Sequence, residues 1–119
     1  MSNEARREAA RDPQDLETVL IERQWAGDIE GMVALYEAAA VLDTGEGELT
    51  IGHAAIRAEF AAFTASGQKF EYGDKSPAVI SGELALTSTR LPDGSVTAEV
   101  ARRQSDGTWL WVIDRYSVV

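Results

Sequence analysis

Thr97-Ala-Glu-Val-Ala-Arg-Arg-Gln-Ser-Asp-Gly-Thr-Trp-Leu-Trp-Val-Ile-Asp-Arg-Tyr116 decides the fold of this chain. Two alternating runs flank Asp106-Gly107. That pattern predicts a β-hairpin over 96–118, closed by a two-residue turn with positive φ at both turn positions. Ser105 then faces Thr108, Arg103 faces Leu110, Ala101 faces Val112, Glu99 faces Asp114 and Thr97 faces Tyr116. Working outward, Leu91-Pro92-Asp93-Gly94-Ser95 reads as a second turn with Gly94 at a positive-φ bulge position, which adds a strand over 84–91. Thr87 joins Glu99 and Asp114 in one row.

Side chains alternate along a strand, so this meander has two faces. One carries Leu84, Leu86, Val96, Ala98, Val100, Trp109, Trp111 and Ile113. The other is a floor of small residues with ionisable groups on it, including Thr87, Glu99, Ala101, Val112, Asp114 and Tyr116. On pattern alone the tryptophan face is the one to pack under helices.

Upstream the period is helical. Asp12-Pro13 starts a helix whose Leu16, Val19, Leu20 and Arg23 form one stripe, and Gly27 ends it. Asp28 caps a second helix carrying Ile29, Met32, Val33 and Tyr36. A short strand over 40–43 leads into Thr44-Gly45-Glu46-Gly47-Glu48. Ile56, Phe60 and Phe63 line a third helix between Gly52 and Gly67. From Gln68 the period changes to two, with Phe70 and Tyr72 alternating with Lys69 and Glu71. Helices first and antiparallel strands afterwards predict an α+β domain with one curved antiparallel sheet wrapping three N-terminal helices. The domain spans 12–119, preceded by a polar arm over 1–11.

Composition narrows the partners. A chain of 119 residues is one domain. Its net charge of −9 argues against nucleic acid and anionic membranes, which require clustered Lys and Arg. No run is apolar enough to span a bilayer and the start lacks a secretory pattern, so a cytoplasmic location is expected. There is no cysteine and one histidine, His53, so thiolate and His-cluster metal sites are excluded. Asp43, Glu46 and Glu48 lack the spacing of a calcium loop. Nothing in the sequence implies a cofactor.

The run from Trp25 to Tyr36, then Asp43, Gly52-His-Ala-Ala-Ile56, Asp106-Gly107-Thr108-Trp109 and Asp114-Arg115-Tyr116-Ser117 together resemble the SnoaL-like and ketosteroid-isomerase-like families of the nuclear transport factor 2-like superfamily. The resemblance covers 12–118 and implies a cystatin-like cone. It places Glu99, Asp114 and Tyr116 on the concave face and the tryptophans outside. Carried over by position, the isomerase's general base matches Asp43, with Thr44 the ungapped match, and its acidic hydrogen-bond donor matches Glu99. Its two tyrosines fall on Leu20 and Phe60, which have no proton to donate. Losing one oxyanion donor costs roughly 10²–10³ in rate, so steroid isomerisation is not expected.

The expectation is therefore a pocket for a small apolar or amphipathic molecule, floored by Thr87, Glu99, Val112, Asp114 and Tyr116 and walled by Leu20, Phe60 and Phe63. One alternative is acid–base chemistry on such a ligand, an isomerase, dehydratase or cyclase-like lyase using Asp43, Glu99 and Asp114. The other is a non-catalytic assembly module. Glu99 and Asp114, directly opposed, are expected to share a proton. A homodimer is expected through the outer face, centred on Trp109, Trp111 and Ile113, because two exposed tryptophans make a large apolar patch.

Overall fold

The computed structural model describes residues 9–119; most of the polar arm lies outside them. Asp12 accepts a hydrogen bond from the Gln14 amide and opens a single 3-10 turn, Pro13–Asp15, that runs into α1, Leu16–Trp25. Gly27 adopts φ +72° and reverses the chain. Asp28 caps α2, Ile29–Val33, through the Gly31 amide. Helix α3, His53–Ala65, follows the positive-φ Gly52.

Among the described residues eight strands follow or separate the helices: β1 Tyr36–Asp43, β2 Thr50–Ile51, β3 Asp74–Lys75, β4 Val79–Ser81, β5 Leu84–Thr87, β6 Thr89–Arg90, β7 Ala98–Arg103 and β8 Trp109–Arg115. Six form one sheet in the order β2-β1-β8-β7-β5-β4, and β3 pairs with β6 as a separate ribbon. The sheet is mixed, because β1 runs parallel to β8 while the other pairs are antiparallel. Tyr36 belongs to the head of β1, since the second helix ends at Val33. The 68–72 segment forms no strand and becomes a loop beneath α3.

The hairpin departs from expectation at its loop and again midway along β8, and the departures offset each other. Its loop has three residues. The Gly107 amide donates to Gln104 O, the Gln104 amide donates to Thr108 O, and Gly107 alone has positive φ, at +86°. Asp106 keeps a negative φ, which excludes the two-residue turn. Arg103 therefore faces Trp109 and Ala101 faces Trp111. A β-bulge at Val112 then restores the predicted register, so that Val100 faces Ile113 and Glu99 faces Asp114.

That bulge inverts the side-chain parity, which corrects the assignment of the tryptophans. Trp109 and Trp111 are buried on the concave face together with Ala101, Glu99 and Asp114, not exposed on the outer one. Trp111 packs on Tyr36, and Tyr36 on Phe60, at ring-centroid distances of 5.3 and 5.7 Å. Leu16, Leu20, Met32, Leu35, Leu42 and Ile56 fill the space between sheet and helices. Ala10, assigned by sequence to the arm, is also buried, and its carbonyl accepts from the Trp109 amide.

The outer face keeps a different apolar set. Val79, Leu86, Val100, Ile113, Val41 and Ile51 are paired in register from β4 through β5, β7, β8 and β1 to β2. One apolar row thus crosses all six strands, and Val79, Leu86, Ile113 and Ile51 in it are exposed.

Candidate functional site

A cavity of about 200 Å³ opens at the wide end of the cone. Its apolar walls are Leu20 of α1, Phe70 of the loop after α3, Leu91 and Pro92 of the β6–β7 turn, and Tyr116. Its polar floor is Glu17 of α1 with Thr97, Glu99 and Asp114 of the sheet. Phe70 stacks on Phe63 at 4.6 Å and meets Phe60 edge-on at 6.3 Å, so the ring lining the cavity is held from behind by α3. Trp25 donates to the Phe70 carbonyl at 2.8 Å and fixes the same loop from outside.

The floor is a group of carboxyls withdrawn from water. Tyr36 donates to Asp114 Oδ2 at 2.6 Å, and Thr87 donates to Glu99 Oε1 at 2.7 Å. Burial pushes the Asp114 carboxyl well above the usual aspartate range, and the charge of Glu99 opposite raises it further; the Tyr36 hydrogen bond opposes both. Burial also raises Glu99, while bonds from Thr87 and Thr97 pull it down. The two carboxyls titrate as one unit, and burial makes that unit hold a proton above the usual carboxylate range. Glu17 is pushed up to about 7, first by burial and then by Glu99, with Lys75 lowering it. The phenols of Tyr36 and Tyr116 are raised by burial and by Asp114, so both stay protonated donors.

Leu20, Glu99, Asp114 and Tyr116, named from the sequence, come together around this cavity. Thr87 stands one step behind, lining a void of about 10 Å³ with Glu17, Glu99, Lys75 and Trp111. Phe60 is fully buried and Phe63 half-buried; both reach the cavity only through Phe70. Val112 is consumed by the bulge and does not line the cavity.

Asp43 lies elsewhere. Leu42, its neighbour in β1, is buried, so alternation turns Asp43 to the outer side, where it accepts from Arg115 at 3.1 Å and from the Gly45 amide at 2.9 Å. His53 Nε2 lies 2.7 Å from the Tyr36 carbonyl oxygen, to which it must donate. Its ring is thus committed to joining α3 to β1.

Sequence reasoning missed Glu17, Phe70, Leu91, Pro92 and Thr97. A glutamate in the first helical turn normally reads as a partner of the helix dipole. Its signal was the spacing of Glu17, Leu20 and Gln24 at i, i+3 and i+7, which puts the carboxyl on a stripe whose other members are buried.

Helices packed in the concavity of one strongly curved mixed sheet, with a pocket at the open end, define a cone-shaped α+β class. Within that class the chain has the nuclear transport factor 2-like, cystatin-like fold. Solved structures of that fold superpose on it. A protein of unknown function from Pseudomonas putida matches with TM-score 0.65 and 20% identity over 98% of this chain and 88% of that one. A candidate dehydratase from Streptomyces avermitilis gives 0.66 and 15% over 84% and 89%. A candidate calcium/calmodulin-dependent protein kinase II association domain from Xanthomonas campestris gives 0.64 and 17% over 85% and 81%. No protein-family model and no curated protein sequence matches the chain.

Proposed function

We propose that this protein binds a small amphipathic molecule in the cone cavity, with its polar end toward Glu17, Glu99 and Asp114. The observation that carries the reading is a cavity of about 200 Å³ whose apolar walls end on a floor of carboxyls. A dry cavity of roughly 150 Å³ accepts a benzene ring. This one suits a single ring, or a chain of similar bulk, with a short polar substituent. A fragment library of that size, screened by ligand-observed NMR, should give hits that compete with one another and disappear in Leu20→Trp, which fills the cavity. Hits that survive that substitution refute the reading.

A second reading, acid–base chemistry on the bound molecule, is supported by the separation of roles within the floor. Glu17 titrates near neutrality, as a general base should, while Asp114 retains a proton to donate. Both are within one cavity. Incubating small ketones and enones with the protein in heavy water should give α-proton exchange that Glu17→Gln abolishes. Exchange unchanged by that substitution, or none with any ketone that binds, removes the enzymatic reading.

The outer face supports a homodimer, centred on Leu86, Val100 and Ile113 rather than on the tryptophans. The apolar row spans the sheet, and ion pairs flank it at Arg102–Glu37 and Arg115–Asp43, so a two-fold axis through it brings apolar onto apolar and opposite charges to the rim. Light scattering should report a dimer for the wild type and a monomer for Ile113→Glu. A monomeric wild type refutes it.

A further inference from the structure

We propose that the ligand of the cavity is a small organic cation, an alkyl or aryl amine whose ammonium group sits among Glu17, Glu99 and Asp114 while its apolar body lies on Leu20, Phe70 and Leu91. The inference rests on the cavity reading above and adds the charge of the occupant.

The first support is acidic charge in excess of its counterions. Glu17 from α1, Glu99 from β7 and Asp114 from β8 wall one cavity, yet the ion pairs among the described residues are Arg57–Glu30, Arg102–Glu37 and Arg115–Asp43, all at the surface. Lys75 approaches Glu17 from behind, through the small void, with its Nζ bonded to the Gln14 carbonyl and the Thr18 hydroxyl. Lys69 stands exposed at the mouth. An isolated buried carboxylate is costly, and a cation delivered by a ligand relieves that cost.

The second support is free acceptor capacity aimed at the cavity. Asp114 is 5% exposed, and among the described residues its Oδ2 accepts from Tyr36 while its Oδ1 accepts no hydrogen bond. The Glu17 carboxyl accepts no hydrogen bond from any described residue. An ammonium presents three donors and no acceptor, which matches this set. An anionic ligand would meet Glu99 head-on, and a neutral one would leave its charge unpaired. The carboxyls surround the space instead of converging, and no group of three acidic, His or Cys residues is disposed to hold a metal ion among the described residues. A polyatomic cation with an apolar body fits both halves of the cavity.

The groups facing that ammonium are Glu17, Glu99, Asp114, Tyr36 and Tyr116, with Lys75 behind Glu17, Lys69, Glu71 and Asp93 at the mouth, and Glu59 of α3 acting on Tyr116. Binding a cation favours the ionised carboxyls, so it should release protons and tighten as pH rises through 7. The probes are 2-phenylethylamine, its neutral analogue 2-phenylethanol and its anionic analogue phenylacetate, titrated calorimetrically at pH 6 and 8 in two buffers of different ionisation enthalpy. The amine should bind with proton release and tighten roughly tenfold between those pH values. The alcohol should bind more weakly and independently of pH, and phenylacetate not at all. Glu99→Gln should weaken the amine roughly tenfold or more and the alcohol much less; a merely structural role would weaken both equally. Alcohol or phenylacetate binding as tightly as the amine overturns the cationic ligand and leaves the cavity reading intact. If none of the three binds and no neutral fragment binds, the cavity reading fails and this inference with it.

Discussion

Replacing Glu17 with glutamine should stabilise the protein, and by an amount that depends on pH. In the folded chain this carboxyl titrates near 7, against an ordinary value of 4.5. A group whose pKa is raised on folding adds no cost below its unfolded pKa and takes stability away as pH rises through its folded pKa. Multiplying 2.303RT by the interval between the two values puts the loss at about 3 kcal/mol once Glu17 is fully ionised, near pH 8. Favourable interaction with the α1 dipole, worth roughly 0.3–1 kcal/mol, is too small to offset burial and the charge of Glu99. The side-chain amide of Glu17→Gln would keep the shape and never ionise. The two proteins should match within about 0.5 kcal/mol near pH 4.5 and separate to about 3 kcal/mol at pH 8, equivalent to some 12 °C in Tm for a domain of this length. Urea unfolding of both at half-unit steps from pH 4.5 to 9 measures the difference directly. A difference that stays flat over that range would mean that Glu17 is fully solvated, and the carboxyl floor would lose its anchor.

Other consequences can be checked with the same unfolding assay. Asp114→Asn should be tolerated near pH 5 and should stabilise the protein at pH 9, because a raised carboxyl loses stability as pH climbs and the amide does not titrate. Tyr36→Phe should instead cost about 1–3 kcal/mol at both ends, since the buried Asp114 oxygen loses its donor; equal behaviour of the two variants would contradict a raised Asp114 carboxyl. Gly73→Ala should be destabilising by about 1–3 kcal/mol, because its Cβ would stand 2.3 Å from the Arg90 carbonyl oxygen and force β3 from β6. Hydrogen exchange should then quicken at the Ser76 amide, which donates to the Ser88 carbonyl across the ribbon. Unchanged exchange there would show that the ribbon yields without opening.

The α+β order and the helix limits at Gly27 and Gly67 were legible because each rests on a local rule: a cap, a positive-φ stop. Of the site's floor, Glu99 and Asp114 were legible and Glu17 and Thr97 were not. Of its walls, Leu20 and Tyr116 were legible and the rest were not, since Phe70, Leu91 and Pro92 come from irregular segments whose position depends on α3 and on the β3–β6 ribbon, contacts that no short-range pattern encodes. Asp43 was legible as a strand-end acid, but its side was not. That depended on which neighbour is buried, and Leu42 takes the inner position.

The hairpin shows how a correct pairing can follow from an incorrect turn. Leu91-Pro92-Asp93-Gly94-Ser95 and Gln104-Ser105-Asp106-Gly107-Thr108 are built alike. In each the glycine amide donates back three residues, the aspartate Oδ1 accepts from the amide and hydroxyl of the residue after the glycine, and only the glycine has positive φ. A Ser or Thr after Asp-Gly was the available sign that the second turn takes the three-residue form too. The longer loop offsets the strands by one residue, and left alone it would have put Asp114 out of step with Glu99. The bulge at Val112 removes the offset and flips the parity midway along β8. One strand thereby presents Trp109 and Trp111 to the core and Asp114 to the cavity, all on one face, leaving Ile113 outside to complete the apolar row. Without the bulge, alternation would turn either the tryptophans or the acid to the outer side. The extra residue is what joins an aromatic core to a carboxyl floor within a single strand.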